Sequence, residues 1–365
     1  MISRRLIFTL IAGALAVGGC SKKEAPTAAT TSAALPAKPP EAVKLNGAGA
    51  TFPFPLYSKW SDEYHKQEGS VQINYQSIGS GGGIRQIVAG TVDFGATDAP
   101  MSADEEKKAP GKLLHIPTTL GAVAVAYQLA EAPSGLKLGG DVLADIYLGK
   151  ITKWNDARIK KDNADLKLPA SEIRVVGRSD GSGTTAVFTD YLSAISPAWS
   201  TTVGAGKSVK WPVGLGAKGN EGVAGQVKST PGSIGYVELS YALQTGLSVA
   251  AVRNQAGNFI TPSIDAVTAA AEGIDLPDSL HASIVNAKGD KAYPISSYTY
   301  LLVYQDAKDV ARGQALGKFL WWALHDGQKY AAPLNYAPLP AKVVTQVEAA
   351  LKQLRAGGKP ILTAP

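Results

Sequence analysis

GRSDGSGTT, residues 177–185, closes the β-branched run IRVVG and opens a stretch in which Val187, Phe188, Tyr191, Leu192 and Ile195 recur at helical spacing. The first run predicts a buried strand and the second a helix over residues 184–195 with one apolar face. Ser182, Gly183 and Thr184 then fall at the first turn, where backbone N–H groups have no intrahelical partner and the helix dipole places partial positive charge. A phosphate, sulfate or carboxylate is stabilised there. The glycines let the backbone approach such an anion, and Arg178 adds a bidentate, charge-assisted pair. Ser, Thr and Asp ahead of an apolar helix are also ordinary N-caps, and Gly-Ser-Gly is an ordinary tight turn, so the stretch alone leaves an anion cradle and a capped helix both open. A nucleotide P-loop would need Lys where Thr184 stands. A hydrolase elbow would read G-x-S-x-G, whereas Ser182 is flanked directly by Gly181 and Gly183.

Two similar strand, Gly-rich turn and helix units precede it. NGAGATFPFPLYSKW, residues 46–60, places Thr51 and Phe52 just ahead of a helix whose Leu56, Tyr57, Trp60 and Tyr64 form an apolar stripe, with Pro53 and Pro55 tolerable in a first turn. VQINYQSIG alternates as a strand, and SGGGIRQIVAG continues as a helix that begins at Ser80 and stops at Gly90. In TVDFGATDAPMSADEE, Ser102 and Glu105 make a capping box, so Asp98 is not needed as that cap. A carboxylate in an anion site accepts a hydrogen bond from a protonated oxyanion and repels one without a proton. Asp98 would thus admit phosphate and reject sulfate.

The chain has 365 residues, 45% hydrophobic and 18% charged, enough for two domains with sizeable cores. Arg4 and Arg5 precede an apolar run over residues 6–17 that is too short for a permanent membrane span, and V-G-G-C follows. This reads as a lipoprotein signal peptide, residues 1–19, with lipidation at Cys20. Cys20 is the sole cysteine, so neither a disulfide nor a cysteine metal site is expected. Residues 20–41, rich in Ala, Pro, Thr and Lys, read as a flexible tether with a reach of roughly 25 Å. Removing residues 1–19 leaves 34 basic against 30 acidic residues, a formal charge of +4. The basic residues are dispersed with no aromatic-interleaved stripe, which argues against nucleic acid and suits a small anion.

Farther along, HIPTTLGAVAVAYQL reads as a strand buried on both faces, and DVLADIYLGKITKWND as a helix ending at Gly149. WPVGLGAKGNEGVAGQV gives a Gly-rich loop and short helix, PGSIGYVELSYA a turn and strand, and YPISSYTYLLV another β-branched run. Two late helices are expected over residues 316–324 and 343–354. His65, His115, His281 and His325 fit no metal spacing and read as surface or capping residues. No cofactor, metal or catalytic set is expected.

Together, NGAGATFPFPLYSKW, SIGSGGGIRQI, DFGATDAPMS and GRSDGSGTT, followed in order by the WPVGLGAKGNEGVAG and PGSIGYVE blocks, with DIYLGKITKW between the third and fourth, resemble the periplasmic phosphate-binding proteins of bacterial phosphate ABC transporters, the PstS type. The resemblance implies an α/β, type II periplasmic-binding-protein fold, with two α/β lobes joined by two β crossings and the ligand cleft between them. Lobe I would comprise residues 42–117 and 297–365, and lobe II residues 118–296. It implies inorganic phosphate as ligand, bound by Thr51, Phe52, Ser80, Asp98, Arg178, Ser182, Gly183 and Thr184, with Asp180 positioning Arg178. It further implies a monomer that delivers phosphate to permease subunits with their ATPase and does no chemistry on it. Gly81 and Thr97 depart from a Ser commoner in the family at each position. The anchor rests on Cys20, since only some members carry one.

Overall fold

The computed structural model describes residues 42–362. The expected signal peptide, Cys20 and the tether lie outside them. β1 (Val43–Gly49) leads through Thr51 and Phe52 into α1 (Phe54–Gln67), whose first turn carries the tolerated proline and whose Leu56, Tyr57, Trp60 and Tyr64 are buried as their spacing predicts. β2 (Val71–Ser77) turns at Gly79, which has φ of 85°, into α2 (Ser80–Val88), and the helix stops at Gly90 with φ of 68°. β3 (Phe94–Thr97) is followed by α3 (Ala103–Glu106), opened by the expected capping box: Glu105 N–H donates to Ser102 Oγ and Ser102 N–H to Glu105 Oε2. β4 (Leu113–Gln128) is the long buried strand.

The next segment contributes β5 (Lys137–Leu138), α4 (Gly140–Tyr147), α5 (Ala157–Asp162), β6 (Arg174–Arg178), α6 (Gly183–Ile195) and α7 (Pro197–Thr202). It continues with β7 (Leu215–Ala217), α8 (Gly219–Ser229), β8 (Ser233–Glu238), α9 (Leu239–Gln244), β9 (Ser248–Val249), β10 (Ala251–Arg253), β11 (Phe259–Ile260) and α10 (Ile264–Ala271). The expected strand through PGSIGYVELSYA stops at Glu238, because the Glu238 carboxyl caps α9 by accepting the Ser240 N–H. β12 (Ser296–Tyr304), α11 (Val310–Leu324) and α12 (Ala341–Leu351) complete the elements that frame the molecule. α11 begins six residues ahead of its expected start. Asp309 caps it, and Gly313 and Gly317, which weaken the helical pattern in sequence, let Ala307, Ala356 and Ile361 pack against its backbone.

Nine strands form one mixed sheet in the order β2-β1-β3-β12-β4-β8-β6-β7, with β9 beside β4. β1 is parallel to β2 and β3, β6 is parallel to β7 and β8, and β12 is antiparallel to β3 and β4. β4 changes partner along its length: Leu113 to Ala122 pair with β12, and Val123 to Gln128 pair with β8. One strand therefore carries the chain from one half of this two-lobe α/β fold to the other. Within each half, helices start at the carboxyl ends of parallel strands, β1 into α1, β2 into α2, β6 into α6 and β7 into α8, and the crevice outside those ends is where open α/β sheets bind ligands.

Close packing behind the crevice leaves no room for a methyl group at Gly83. A Cβ there would lie 2.5 Å from both Ala48 O and Gly49 Cα, which are backbone atoms of β1. Gly83→Ala is expected to lower unfolding free energy by about 1–3 kcal/mol, read from urea melts at unchanged m-value. An unchanged midpoint would show that β1 yields freely.

Candidate functional site

The four Gly-rich turns meet where their helices begin. Ser182 is the N-cap of α6, its Oγ accepting the Thr185 N–H at 3.0 Å, and its own N–H donates to Lys207 O at 2.7 Å. Gly183 N–H donates to Ser80 Oγ at 3.0 Å, and Asp98 N–H reaches the same oxygen at 3.3 Å. Both lone pairs of that hydroxyl are thus filled from two directions, and its proton is left to donate. Among the described residues, the N–H groups of Phe52 and Ser80 donate to no backbone acceptor outside their helices, and that of Thr184 lies beside the Asp98 carboxyl. These are the orphan donors expected where a chain enters a helix.

Arg178 ends β6 with its side chain 1% exposed, and Asp180 takes one edge of the guanidinium: Nε donates to Oδ1 at 2.7 Å and Nη2 to Oδ2 at 2.6 Å. Burial opposes ionisation of Asp180. The Arg178 hydrogen bonds, its charge and the Gly219 N–H outweigh burial and hold the carboxyl below its ordinary value. Among the described residues, Arg178 Nη1 is buried without a hydrogen-bond partner, and so is Asp98 Oδ2. The other Asp98 oxygen, Oδ1, accepts from Thr299 Oγ1 at 2.9 Å. Burial pushes the Asp98 carboxyl up to about 7, against the Thr299 hydrogen bond and the Arg178 charge. An unpartnered buried donor and an unpartnered buried acceptor in one site call for a ligand that brings oxygen acceptors and an O–H donor together.

Thr51 Oγ1, Asn220 and Thr184 Oγ1 form a second linked set. Asn220 Nδ2 donates to Thr51 Oγ1 at 2.7 Å and lies 3.2 Å from Thr184 Oγ1. Tyr241 OH donates to Thr51 O at 2.6 Å, polarising the peptide whose other end is the Phe52 N–H. All eight residues expected to touch the anion are therefore brought together, with Asp180 behind Arg178. Sequence reasoning missed Asn220, Tyr241 and Thr299. A signal for Asn220 was present, since GAKGNEG repeats the Gly-rich turn before a helix. Thr299 lies inside a β-branched run that carries no such mark.

Gly81 and Gly181 face each other: Gly81 N–H donates to Gly181 O at 2.9 Å, and a Cβ on Gly81 would stand 3.2 Å from Gly181 Cα. The departure at Gly81 therefore sits at a close backbone approach. At Thr97, Oγ1 donates to Ala99 O and stays within its own turn. A groove of about 470 Å³, lined by Asp98, Asp190, Lys207, His281 and Tyr300 among others, opens on the site. Lys207 Nζ pairs there with Glu105 Oε2 at 2.8 Å.

The histidines need a correction. His115 is neither a surface nor a capping residue but is buried 4.8 Å, ring to ring, from His281, and their ligand atoms and a Glu106 oxygen lie within 4.8 Å of one another. Burial first, then His281 and Lys207, push His115 down to about 4, so the ring is neutral. Its Nε2 accepts the Met101 N–H at 3.0 Å, which puts the proton on Nδ1. A metal-bound imidazole donates through its second nitrogen rather than accepting there, so this cluster does not fit a metal.

A family model described as the PBP superfamily domain matches residues 22–326. The chain is 47% identical over 312 residues to the phosphate-binding protein PstS of Xylella fastidiosa (strain Temecula1), a match covering 85% of each. It is 46% identical over 315 residues to PstS of Pasteurella multocida (strain Pm70), covering 86% of this chain and 91% of that one. In three dimensions it is similar to PfluDING, a high affinity periplasmic phosphate-binding protein bound with phosphate. That likeness has a TM-score of 0.71 at 22% identity, covers 87% of this chain and 97% of the other, and speaks for the fold alone.

Proposed function

The chain belongs to the PBP superfamily and, within it, to the PstS phosphate-binding proteins, and from that membership we propose that it captures inorganic phosphate in the periplasm and delivers it to a phosphate ABC transporter. The observation that carries this reading is the pairing of two buried, unpartnered atoms, Arg178 Nη1 and Asp98 Oδ2. Phosphate near neutrality offers oxygens to the first and a P–OH to the second. Sulfate offers only acceptors, which would leave two acceptors facing each other.

In this reading Phe52, Ser80 and Thr184 donate through backbone N–H groups, and Thr51, Ser80, Ser182 and Thr184 donate through hydroxyls. Gly183 supplies the close approach: a Cβ there would run into Ser80 Oγ and Asp98 Oδ2. The ligand then leaves chemically unchanged for permease subunits and their ATPase. Ser182 Oγ is engaged as a helix cap, and no histidine among the described residues bonds to Ser182 or Thr184, which speaks against a phosphatase nucleophile.

The lobes are residues 42–117 with 297–365, and 118–296. The change of partner between Ala122 and Val123 supports a crossing in β4 and favours setting it a few residues later. Among the described residues no helix is long and apolar enough to cross a membrane. Anchoring would rest on Cys20, and the protein would act as a monomer.

Calorimetric titration of phosphate-stripped protein lacking residues 1–41 tests the reading. Single-site phosphate binding with no competition from equimolar sulfate is expected at pH 8. Folded protein that binds neither anion, or binds both equally, would refute it.

A further inference from the structure

We propose that Asn220, through contacts that none of the expected ligand residues makes, is the positioning residue that turns the Thr51 hydroxyl into a donor toward the anion. The proposal rests on the phosphate reading above and names how one of its donors is set.

Thr51 and Asn220 are 2% and 0% exposed and come together across 169 residues of chain. Thr51 Oγ1 receives two hydrogen bonds from Asn220, one from Nδ2 at 2.7 Å and one from the backbone N–H at 3.2 Å. A hydroxyl has two acceptor lone pairs and one proton, so with both lone pairs filled its proton can only be given away.

The orientation of the Asn220 amide is itself fixed. Glu238 N–H, a donor without alternative, points at Asn220 Oδ1 at 2.8 Å, so the NH₂ end must face Thr51. The second Nδ2 hydrogen lies toward Thr184 Oγ1 at 3.2 Å and fills one of its acceptor positions as well. Asn220 thus has every polar group engaged and biases two hydroxyls of the site toward donation. An aliphatic side chain at 220 would keep the backbone N–H bond but free the Thr51 lone pair that Nδ2 fills, and the hydroxyl could then turn that acceptor toward an anion, which repels it.

Phosphate titration of wild type, Asn220→Ala, Thr51→Val and the double variant tests this. If folded wild type binds no phosphate, the capture reading fails and the proposal with it. If wild type binds and Asn220→Ala binds equally well, the proposal alone fails. Expected is a loss of about 10- to 100-fold for each single variant, with the double variant within about threefold of the weaker single, because both changes remove the same hydrogen bond to the ligand. Losses that multiply would mean that Asn220 acts only through packing. Thr51→Ser, which keeps the hydroxyl, is expected within about threefold of wild type, and a loss as large as that of Thr51→Val would overturn the assignment. If Asn220→Ala does not fold, Asn220→Ser takes its place in the cycle, being too short to reach Oγ1.

Discussion

Arg178→Ala is expected to fold and to bind phosphate about 10²- to 10³-fold more weakly than wild type, the largest loss from any single side chain of the site. The reason lies in how the guanidinium is divided. Nε and Nη2 are held by Asp180, while Nη1 is buried and has no hydrogen-bond partner among the described residues. Truncation removes that donor and also leaves Asp180 ionised without its partner, so a negative charge faces the incoming anion. Arg178→Lys should recover little, since a single ammonium cannot hold both Asp180 oxygens and reach the ligand. Asp180→Asn in the Arg178→Ala background should recover part of the loss by removing the orphaned charge. Titration calorimetry measures all three, and a loss under tenfold for Arg178→Ala would remove it from the site.

Asp98→Asn should change both discrimination and pH dependence. An amide at 98 can offer an N–H where Asp98 has Oδ2, so sulfate is no longer faced by an acceptor. The preference for phosphate over sulfate is expected to fall by about 10²-fold or more at pH 8. In the ligand-free wild type the carboxyl is raised from its ordinary 3.8 to about 7 by burial. For an acid with a raised folded value, ionisation is harder in the fold than in the unfolded chain. Stability is therefore fully present below about pH 4, falls as pH rises toward 7, and levels off above. The total is about a few kcal/mol. Asp98→Asn lacks this loss, so ligand-free Asp98→Asn should melt higher than wild type at pH 8 and no higher at pH 4. Equal melting temperatures at pH 8, or unchanged discrimination against sulfate, would show that the carboxylate does not set the filter.

Much of this was legible along the chain. The helix starts at Ser80 and Ser182, the stop at Gly90, the Ser102 and Glu105 capping box, and the stripe of Leu56, Tyr57, Trp60 and Tyr64 all follow from relations within about four residues. Such relations are written directly in sequence, because capping and helical periodicity are local. The anion cradle was half-visible for the same reason, as turns that expose backbone N–H groups. The resemblance then selected it over ordinary caps.

What the tertiary structure alone decided are relations between distant segments. Thr299 reaches Asp98 across 201 residues, Asn220 reaches Thr51 across 169, and His115 meets His281. The early start of α11 belongs with these, since Gly313 and Gly317 look like helix weakeners until Ala307, Ala356 and Ile361 are seen filling the space they leave. Sequence set where each donor stands on its own turn. Which lone pairs are filled, and hence which way each hydroxyl gives its proton, depends on partners that only the folding of the sheet brings within 3 Å or so.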